Sequence, residues 1–153
     1  MSPSDRIGSV LNSKGRRLFS VTPETTVFEA IEIMSEREIG ALPVIASDGR
    51  LTGMLSERDY ARKIILQGRS SRDTRVREIM TSPVITVDPN DDVERCMQLM
   101  TEHRVRHLPV VVNGDEVIGI VSIGDLVNWI ITAQSVTIHQ LETYITGHYP
   151  GAD

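Results

Sequence analysis

The sequence predicts an α/β (α+β) fold in which two similar units pack as one pseudo-twofold module. The stretch Gly53–Asp59 returns as Gly119–Asp125, an offset of 66 residues (119 − 53). With that offset, residues 21–59 align onto residues 87–125 without a gap, and both copies carry a Leu-Pro-Val segment and a Gly-x-x-Ser-x-x-Asp turn. A unit of about sixty residues buries only a marginal core alone, so the two repeats are expected to pack on each other.

Composition excludes several classes of protein. The chain is 40% hydrophobic and 24% charged, as in ordinary globular proteins, and its net charge of −5 argues against general binding to nucleic acid or an anionic membrane. The single Cys96 excludes an intramolecular disulfide, and it aligns with Ala30, which predicts a buried thiol. Neither a secretory leader nor an apolar run of membrane-spanning length is present, so a cytoplasmic location is expected.

Each unit is predicted to run strand–helix–strand–strand–helix after a short helical turn. The turn at Ile7–Leu11 recurs at Val76–Met80, and only the first is followed by a three-residue insertion, Ser13–Gly15. Strands Arg17–Val21 and Pro83–Val87 are expected next. Thr26 and Asp92 then fit the N-caps of two helices. Apolar side chains at i, i+3, i+4 and i+7 predict the buried helix faces: Val27, Ala30, Ile31 and Met34, then Val93, Cys96, Met97 and Met100.

Short β-branched runs predict a hairpin in each unit. Pro43 and Pro109 lack an N–H, so they should lie at the start or edge of a strand. Turn signals containing glycine separate the two strands of each hairpin. The predicted strands are Ala41–Ala46 and Leu51–Leu55 in the first unit, and His107–Val112 and Val117–Val121 in the second.

The connections divide the chain. We expect the first repeat at residues 7–66, a linker at 67–75, the second repeat at 76–133, and a C-terminal helix and tail at 134–153. The linker carries three arginines, which either form a solvated connection or help to hold a phosphate. After Asp125 the apolar pattern predicts a long helix, and a dimer contact is a natural use for its exposed apolar face.

These features resemble a known family. Paired units of this order, each with a Leu-Pro-Val strand and a Gly-x-x-Ser-x-x-Asp turn, look like a tandem cystathionine-β-synthase (CBS) domain pair over about residues 7–133. The segments Ser56–Arg62 and Gln67–Ser71 further resemble stand-alone CBS-pair proteins of bacteria and plant organelles. The resemblance implies a regulatory module that binds AMP, ATP or NAD(H), forms a flat homodimer and acts on an unidentified protein partner.

The repeated turn has two interpretations. It fits a capping box, in which Ser56 bonds the amide three residues on and Asp59 reaches back. It also fits a ligand site, because a helix start attracts phosphate and a carboxylate one turn later can accept two ribose hydroxyls. The residues leave both open. The resemblance implies that Asp59 and Asp125 accept the ribose, with Ser56 and Ser122 beside the phosphates.

The resemblance also implies two adenine pockets, and their surroundings differ. Repeat one has Arg58 inside the turn and Arg62-Lys63 after it, whereas repeat two has Ile123-Gly124 but offers Arg104. Arg58 either holds a phosphate or pairs with a neighbouring carboxylate. We expect unequal clefts, one preferring a monophosphate and the other a triphosphate or dinucleotide. The pocket residues are Ser20, Gly40, Ala41, Leu42 and Pro43, and then Thr86, Arg106, His107, Leu108 and Pro109.

Catalysis is not expected. No phosphate-binding Gly-x-x-x-x-Gly-Lys-Ser/Thr loop, His-Glu-x-x-His pair or Gly-x-Ser-x-Gly elbow occurs, so we expect neither an enzyme nor a catalytic cofactor. His103 and His107 have a spacing seen in metal sites, but no third ligand is evident, and no metal is expected. The alternative is a protein-interaction module that acts through its C-terminal helix and whose nucleotide sites are degenerate.

Overall fold

The computed structural model describes residues 5–15 and 17–133. The predicted order of helices and hairpin strands is confirmed, while the chain beyond residue 133, including most of the predicted long helix, lies outside the described residues. The elements are α1 Ile7–Lys14, α2 Val27–Arg37, β1 Ala41–Ile45, β2 Leu51–Ser56, α3 Glu57–Tyr60, α4 Val76–Ile79, α5 Val93–His103, β3 His107–Val112 and β4 Glu116–Ser122. A π-helical turn, Ala61–Ile65, continues α3, and residues 123–133 form α6.

Two antiparallel hairpins, β1–β2 and β3–β4, form the sheets. The strands predicted to precede them, Arg17–Val21 and Pro83–Val87, are not formed. Each segment contributes a single parallel bridge, Val21 to Val44 and Val87 to Val110. The Val21 amide donates to the Pro43 carbonyl at 3.1 Å, and the Ile45 amide donates to the Val21 carbonyl at 2.8 Å. Continuing this ladder would need an N–H from residue 43 or residue 23, and both are prolines.

The helix caps and buried faces are confirmed. The Thr26 hydroxyl accepts the Glu29 amide at 3.2 Å, and the Asp92 carboxylate accepts the Arg95 amide at 2.7 Å. Cys96 is fully buried, and burial, together with nearby Asp91 and Asp92, raises its pKa to about 12. The thiol is therefore core filler rather than a reactive group. Among the described residues, no helix is long and apolar enough to cross a bilayer.

The two short helices that open the repeats are exchanged between their cores. Helix α1 opens the first repeat, yet its Ile7, Val10 and Leu11 belong to the core of the second. Helix α4 opens the second repeat, yet its Val76 and Ile79 belong to the core of the first. The Ile7 amide donates to the Asp91 carbonyl at 2.8 Å, which fixes α1 beside the start of α5. Each core is therefore completed by a helix from the other end of the linker.

The linker arginines fasten residues 67–75 to the first repeat. Arg69 pairs with Glu78 at 2.7 Å, and the Arg72 guanidinium lies 3.8 Å from the centroid of a phenylalanine ring in α2. Arg75 donates to the Glu24 carbonyl at 3.1 Å. These contacts use all three arginines within the fold, so they favour the connecting role over phosphate binding.

Candidate nucleotide site

The first Gly-x-x-Ser-x-x-Asp turn joins β2 to α3 and forms the predicted capping box. The Ser56 hydroxyl accepts the Asp59 amide at 3.2 Å, and Asp59 Oδ2 accepts the Ser56 amide at 3.0 Å. The other oxygen, Oδ1, accepts the Thr81 hydroxyl and the Lys63 ammonium, each at 3.1 Å. Asp59 is only 8% exposed. Both oxygens of the first carboxylate are therefore enclosed by protein partners.

The second turn joins β4 to α6 and repeats the box with a different cation. The Ser122 hydroxyl accepts the Asp125 amide at 3.1 Å, and Asp125 Oδ2 accepts the Ser122 amide at 2.8 Å. Lys14, the last residue of α1, donates to the same Oδ2 at 2.6 Å and to the Ile120 carbonyl at 2.9 Å. The Asp125 side chain is 23% exposed, against 12% for Asp59. The second carboxylate is thus the more accessible one.

Charges around the second turn are arranged to keep Asp125 ionised. Burial alone would raise its pKa, but hydrogen bonds from Lys14 and Ser122 and the charge of Lys14 outweigh burial, so the pKa lies below its ordinary value. Burial lowers the pKa of His107, Lys14 and Arg106 lower it further, and Asp125 opposes them. Since the ordinary pKa of histidine is about 6.5, the His107 ring is neutral at pH 7.

The two repeats meet at His107, the first residue of β3. This residue lies opposite Ser122 in the β3–β4 register, beside the second turn. A Cβ atom at position 40 would lie 3.3 Å from His107 Cε1 and 3.7 Å from Glu57 Oε1. The Gly40 carbonyl also accepts the Glu57 amide at 3.0 Å. Glycine at position 40 therefore lets the imidazole approach the start of the first repeat's α3.

Four arginines line a concavity of about 390 Å³ between α3 and the end of α5. Arg58 Nη1 donates to the Arg104 carbonyl at 3.1 Å, so the first repeat reaches across to the second. Arg62 comes from the π-helical turn, and the Arg106 carbonyl accepts the Ile123 amide at 2.8 Å, beside the second turn. The remaining lining residues are Met100, Thr101 and Val105.

These arginines form no ion pair with the part of the chain that the structure describes. Within residues 5–15 and 17–133, none of the four lies within 4.0 Å of a carboxylate oxygen. The expected alternative for Arg58, an ion pair with Glu57 or Asp59, is thus not what the structure shows. The positions equivalent to Arg58 and Arg106 in the other half are Gly124 (58 + 66) and Gly40 (106 − 66). The cationic surface therefore belongs to one side of the module.

The other predicted pocket residues surround the strand ends, but several point elsewhere. Leu42 and Leu108 are 0% exposed and lie in the two hydrophobic cores, so their side chains are not available to a ligand. Ser20 and Thr86 are exposed, and the amides that follow them donate to the carbonyls of the two Leu-Pro-Val prolines at 3.1 Å. Three further positions are also buried: Ala41, Pro43 and Pro109.

Sequence reasoning missed two residues of the site. One sequence feature marks Lys14, since it lies in the three-residue insertion that distinguishes the first repeat, but no feature indicates its partner. No sequence feature marks Thr81, because its contact with Asp59 depends on the exchange of α4. Among the described residues, no group of three His, Cys, Asp or Glu side chains is placed to hold a metal ion.

Comparisons with known proteins bear on the whole module. The CBS domain model matches residues 9–66 and 76–132. The mitochondrial CBS domain-containing protein CBSX3 of Arabidopsis thaliana is 42% identical over 154 residues, 95% of this chain and 74% of that protein. A putative signal-transduction protein with CBS domains from Burkholderia ambifaria MC40-6 is 48% identical, with a TM-score of 0.79, covering 84% of this chain and 96% of that one.

A more distant structure shows the same fold with bound ligands. The CBS domain pair of protein MJ0100, solved with 5′-methylthioadenosine and S-adenosyl-L-methionine, is 23% identical, with a TM-score of 0.72. The match covers 84% of this chain and 97% of that one. The two repeats, their paired turns and these matches agree: the chain belongs to the CBS domain family and carries a tandem CBS pair.

Proposed function

We propose that the chain is a non-catalytic regulatory module that binds a phosphorylated adenine nucleotide at the second cleft, around Asp125. The observation that carries this proposal is the set of four arginines that have no carboxylate partner within residues 5–15 and 17–133, and that adjoin the second turn through the Arg106 carbonyl and the Ile123 amide. Arginine presents paired N–H donors that match phosphate oxygens, and four of them in one concavity favour a polyanion. Asp125, ionised and partly accessible, supplies the acceptor that a ribose needs.

The arginine-lined concavity is of suitable size and chemistry for the phosphates of such a ligand. Its volume of about 390 Å³ falls within the range of about 300–1,000 Å³ that is typical of small-molecule sites, and the ribose and base are assigned to the second turn, outside its lining. The ribose is assigned to Asp125, and the phosphates to Arg58 and Arg106, with Ser122 and Gly124 at the helix start between them. His107 and the backbone near Pro109 are assigned to the base. A protein of the same fold holds two adenosine compounds, which supports this class of ligand.

The proposal makes the two clefts unequal. At the first turn, Asp59 is enclosed by Thr81 and Lys63, and the positions that would supply arginines are occupied by Gly40 and Gly124. We therefore assign the longer ligand, ATP or NAD(H), to the second cleft and expect the first, lined by Ser20, Gly40–Pro43 and Ser56, to bind more weakly and to prefer AMP.

Regulation would follow from linkage between ligand and conformation. A nucleotide that contacts Arg58 in one repeat and Asp125 in the other stabilises the arrangement in which both are in reach. It shifts the equilibrium only by its difference in affinity between the two arrangements. The regulated protein partner remains to be identified, and no turnover of the nucleotide is expected.

Titration calorimetry with adenosine, AMP, ADP, ATP, NAD and NADH tests the proposal. Affinity is expected to rise with the number of phosphates, and Arg106→Ala is expected to weaken ATP binding by about tenfold or more, as for a charge-assisted hydrogen bond. Adenosine binding should stay within about twofold, since the nucleoside has no group for the arginines.

Arg50→Ala is the matched control, because it removes an exposed arginine whose partner is Asp115. Its ATP affinity should equal that of the wild-type chain. Equal affinities for adenosine and ATP would contradict the phosphate assignment. The absence of heat with every ligand, from folded and ligand-free protein, would contradict nucleotide binding altogether.

We also propose that the module forms a homodimer. Ile65 and Ile131 are 59% and 55% exposed, and they stand 66 residues apart, at equivalent positions of the two repeats. Two further apolar side chains are exposed beside them. Leu66, which follows Ile65, is 77% exposed, and Val127, in the same helix as Ile131, is 40% exposed. Exposed apolar residues repeated by pseudo-symmetry favour burial against a second copy of the chain.

Sedimentation equilibrium tests the dimer. The wild-type chain is expected at twice the chain mass, and Ile65→Glu is expected to sediment as a monomer at micromolar concentration, because a buried unpaired carboxylate opposes association. Gln67→Glu, an exposed polar neighbour, should remain dimeric. A dimeric Ile65→Glu would exclude this surface. The alternative of an interaction module acting through residues 134–153 concerns the part of the chain outside the described residues.

A further inference from the structure

Lys14 stands apart from the other cations of the second cleft, because it is held on the carboxylate itself. Its Nζ lies 2.6 Å from Asp125 Oδ2 and 2.9 Å from the Ile120 carbonyl. We propose that Lys14 sets the ligand specificity of the second cleft, occupying Asp125 until a ligand that carries an anionic group displaces it. This inference rests on the proposed function, since it assigns Asp125 to the ribose.

The geometry makes Lys14 a competitor of the ribose. Oδ2 already accepts the Ser122 amide at 2.8 Å, so the ammonium takes much of the remaining space for donors on that oxygen. A pair of ribose hydroxyls cannot bond both oxygens of this carboxylate unless the ammonium moves. The Lys14 side chain is 37% exposed, so it can swing into solvent or toward a bound ligand.

The first repeat also pairs its carboxylate with a lysine, but that carboxylate is more enclosed. Lys63 pairs with Asp59 across one turn of its own helix, and the Thr81 hydroxyl donates to the same carboxylate oxygen. Lys14 instead arrives from α1, a separate element, and among the described residues Asp125 has no counterpart of the Thr81 donor. The second carboxylate can therefore exchange its lysine for a ligand with fewer accompanying changes.

Displacement has different consequences for a nucleoside and a nucleotide. A neutral nucleoside that takes Asp125 leaves the ammonium without an anionic partner, and the lost ion pair weakens its binding. A nucleotide brings a phosphate close to the ribose, and the displaced ammonium gains a new charge-assisted hydrogen bond. Lys14 thereby penalises adenosine while leaving ATP nearly unaffected, which makes it a filter for phosphorylated ligands.

The test compares adenosine and ATP on the full chain by calorimetry, because ATP is the ligand assigned to the second cleft. Lys14→Met keeps the length of the side chain and removes its charge. It is expected to strengthen adenosine binding roughly three- to tenfold, as for loss of a partly exposed ion pair, and to change ATP binding by less than about twofold. Lys14→Arg should keep the wild-type preference. Lys63→Met is the control at the first turn and should leave both affinities of the second cleft unchanged.

A second arm shows whether Lys14 acts through Asp125. In an Asp125→Asn background, Lys14→Met should no longer favour adenosine, because the ion pair is already gone. Adenosine binding that is unchanged or weakened by Lys14→Met alone overturns this inference while leaving the proposed function intact. Absence of ATP binding by the wild-type chain overturns the proposed function, and the inference falls with it.

Discussion

Replacement of Asp125 by alanine is expected to lower the affinity of the second cleft for ATP about 100-fold or more. A carboxylate that accepts two ribose hydroxyls makes two charge-assisted hydrogen bonds, each contributing about 1.5–3 kcal/mol. A factor of ten corresponds to about 1.4 kcal/mol, so the loss of both bonds exceeds two factors of ten. Calorimetry measures the affinity. Trp129, the single tryptophan, lies in the same helix as Asp125, so its fluorescence gives a second signal of binding.

The variant also loses half of a capping box, which by itself destabilises the fold by about 0.5–2 kcal/mol. Asp92→Ala is the matched control, because Asp92 caps α5 through the Arg95 amide and lies outside the proposed pocket. It should lose similar stability and keep full ATP affinity. If Asp125→Ala binds ATP as tightly as Asp92→Ala does, Asp125 is a structural cap and the ribose lies elsewhere.

Gly53→Ala is expected to destabilise the protein by about 1–3 kcal/mol, the usual cost of overpacking. A Cβ at position 53 would lie 2.5 Å from Met80 Sδ and 3.1 Å from the Thr81 carbonyl oxygen. The Met80 side chain is flexible and can adjust. The Thr81 oxygen belongs to the backbone and accepts a hydrogen bond from the Met54 amide, so it can move less easily. The first glycine of the repeated turn is thus required by the segment that follows α4. Urea denaturation, followed by circular dichroism, gives the change in unfolding free energy.

Gly124→Ala is the comparison for this prediction. A Cβ there meets nothing nearer than Ser122 Oγ at 3.6 Å, and the residue lies in the first turn of α6. Alanine is about 0.5–1 kcal/mol better than glycine inside a helix, so this variant should be as stable as the wild type or more so. Equal stability of Gly53→Ala and the wild type would show that the α4 segment can retreat without loss.

Much of this fold follows from short-range patterns that the sequence displays twice. The spacing of Val27, Ala30 and Met34 identifies a buried helix face, and Ser56 with Asp59 identifies a helix start. Such features depend on residues a few positions apart, and the repeat supplies an independent copy of each. The hairpin of β1 and β2 and its counterpart could be predicted for the same reason.

Features that depend on distant contacts could not be predicted. Periodicity shows that Ile7, Val10 and Leu11 share an apolar face, but it does not say which of two similar cores that face enters. The same ambiguity hides the partner of Lys14, because the lysine meets Asp125 only when α1 crosses to the second repeat. The single bridge at Val21 was predicted as a longer strand for another reason. Prolines on both paired segments remove the N–H groups that would continue the ladder.

The exchange of α1 and α4 also determines how the duplicated sequence behaves as a folding unit. A fragment cut at the linker would carry α1 away from the core that Ile7, Val10 and Leu11 complete, and would leave the first repeat without Val76 and Ile79. Neither half is therefore an autonomous domain, although each contains a full copy of the repeated motif. We therefore expect the two halves to unfold together, and a substitution in α1 to destabilise the repeat farther along the chain.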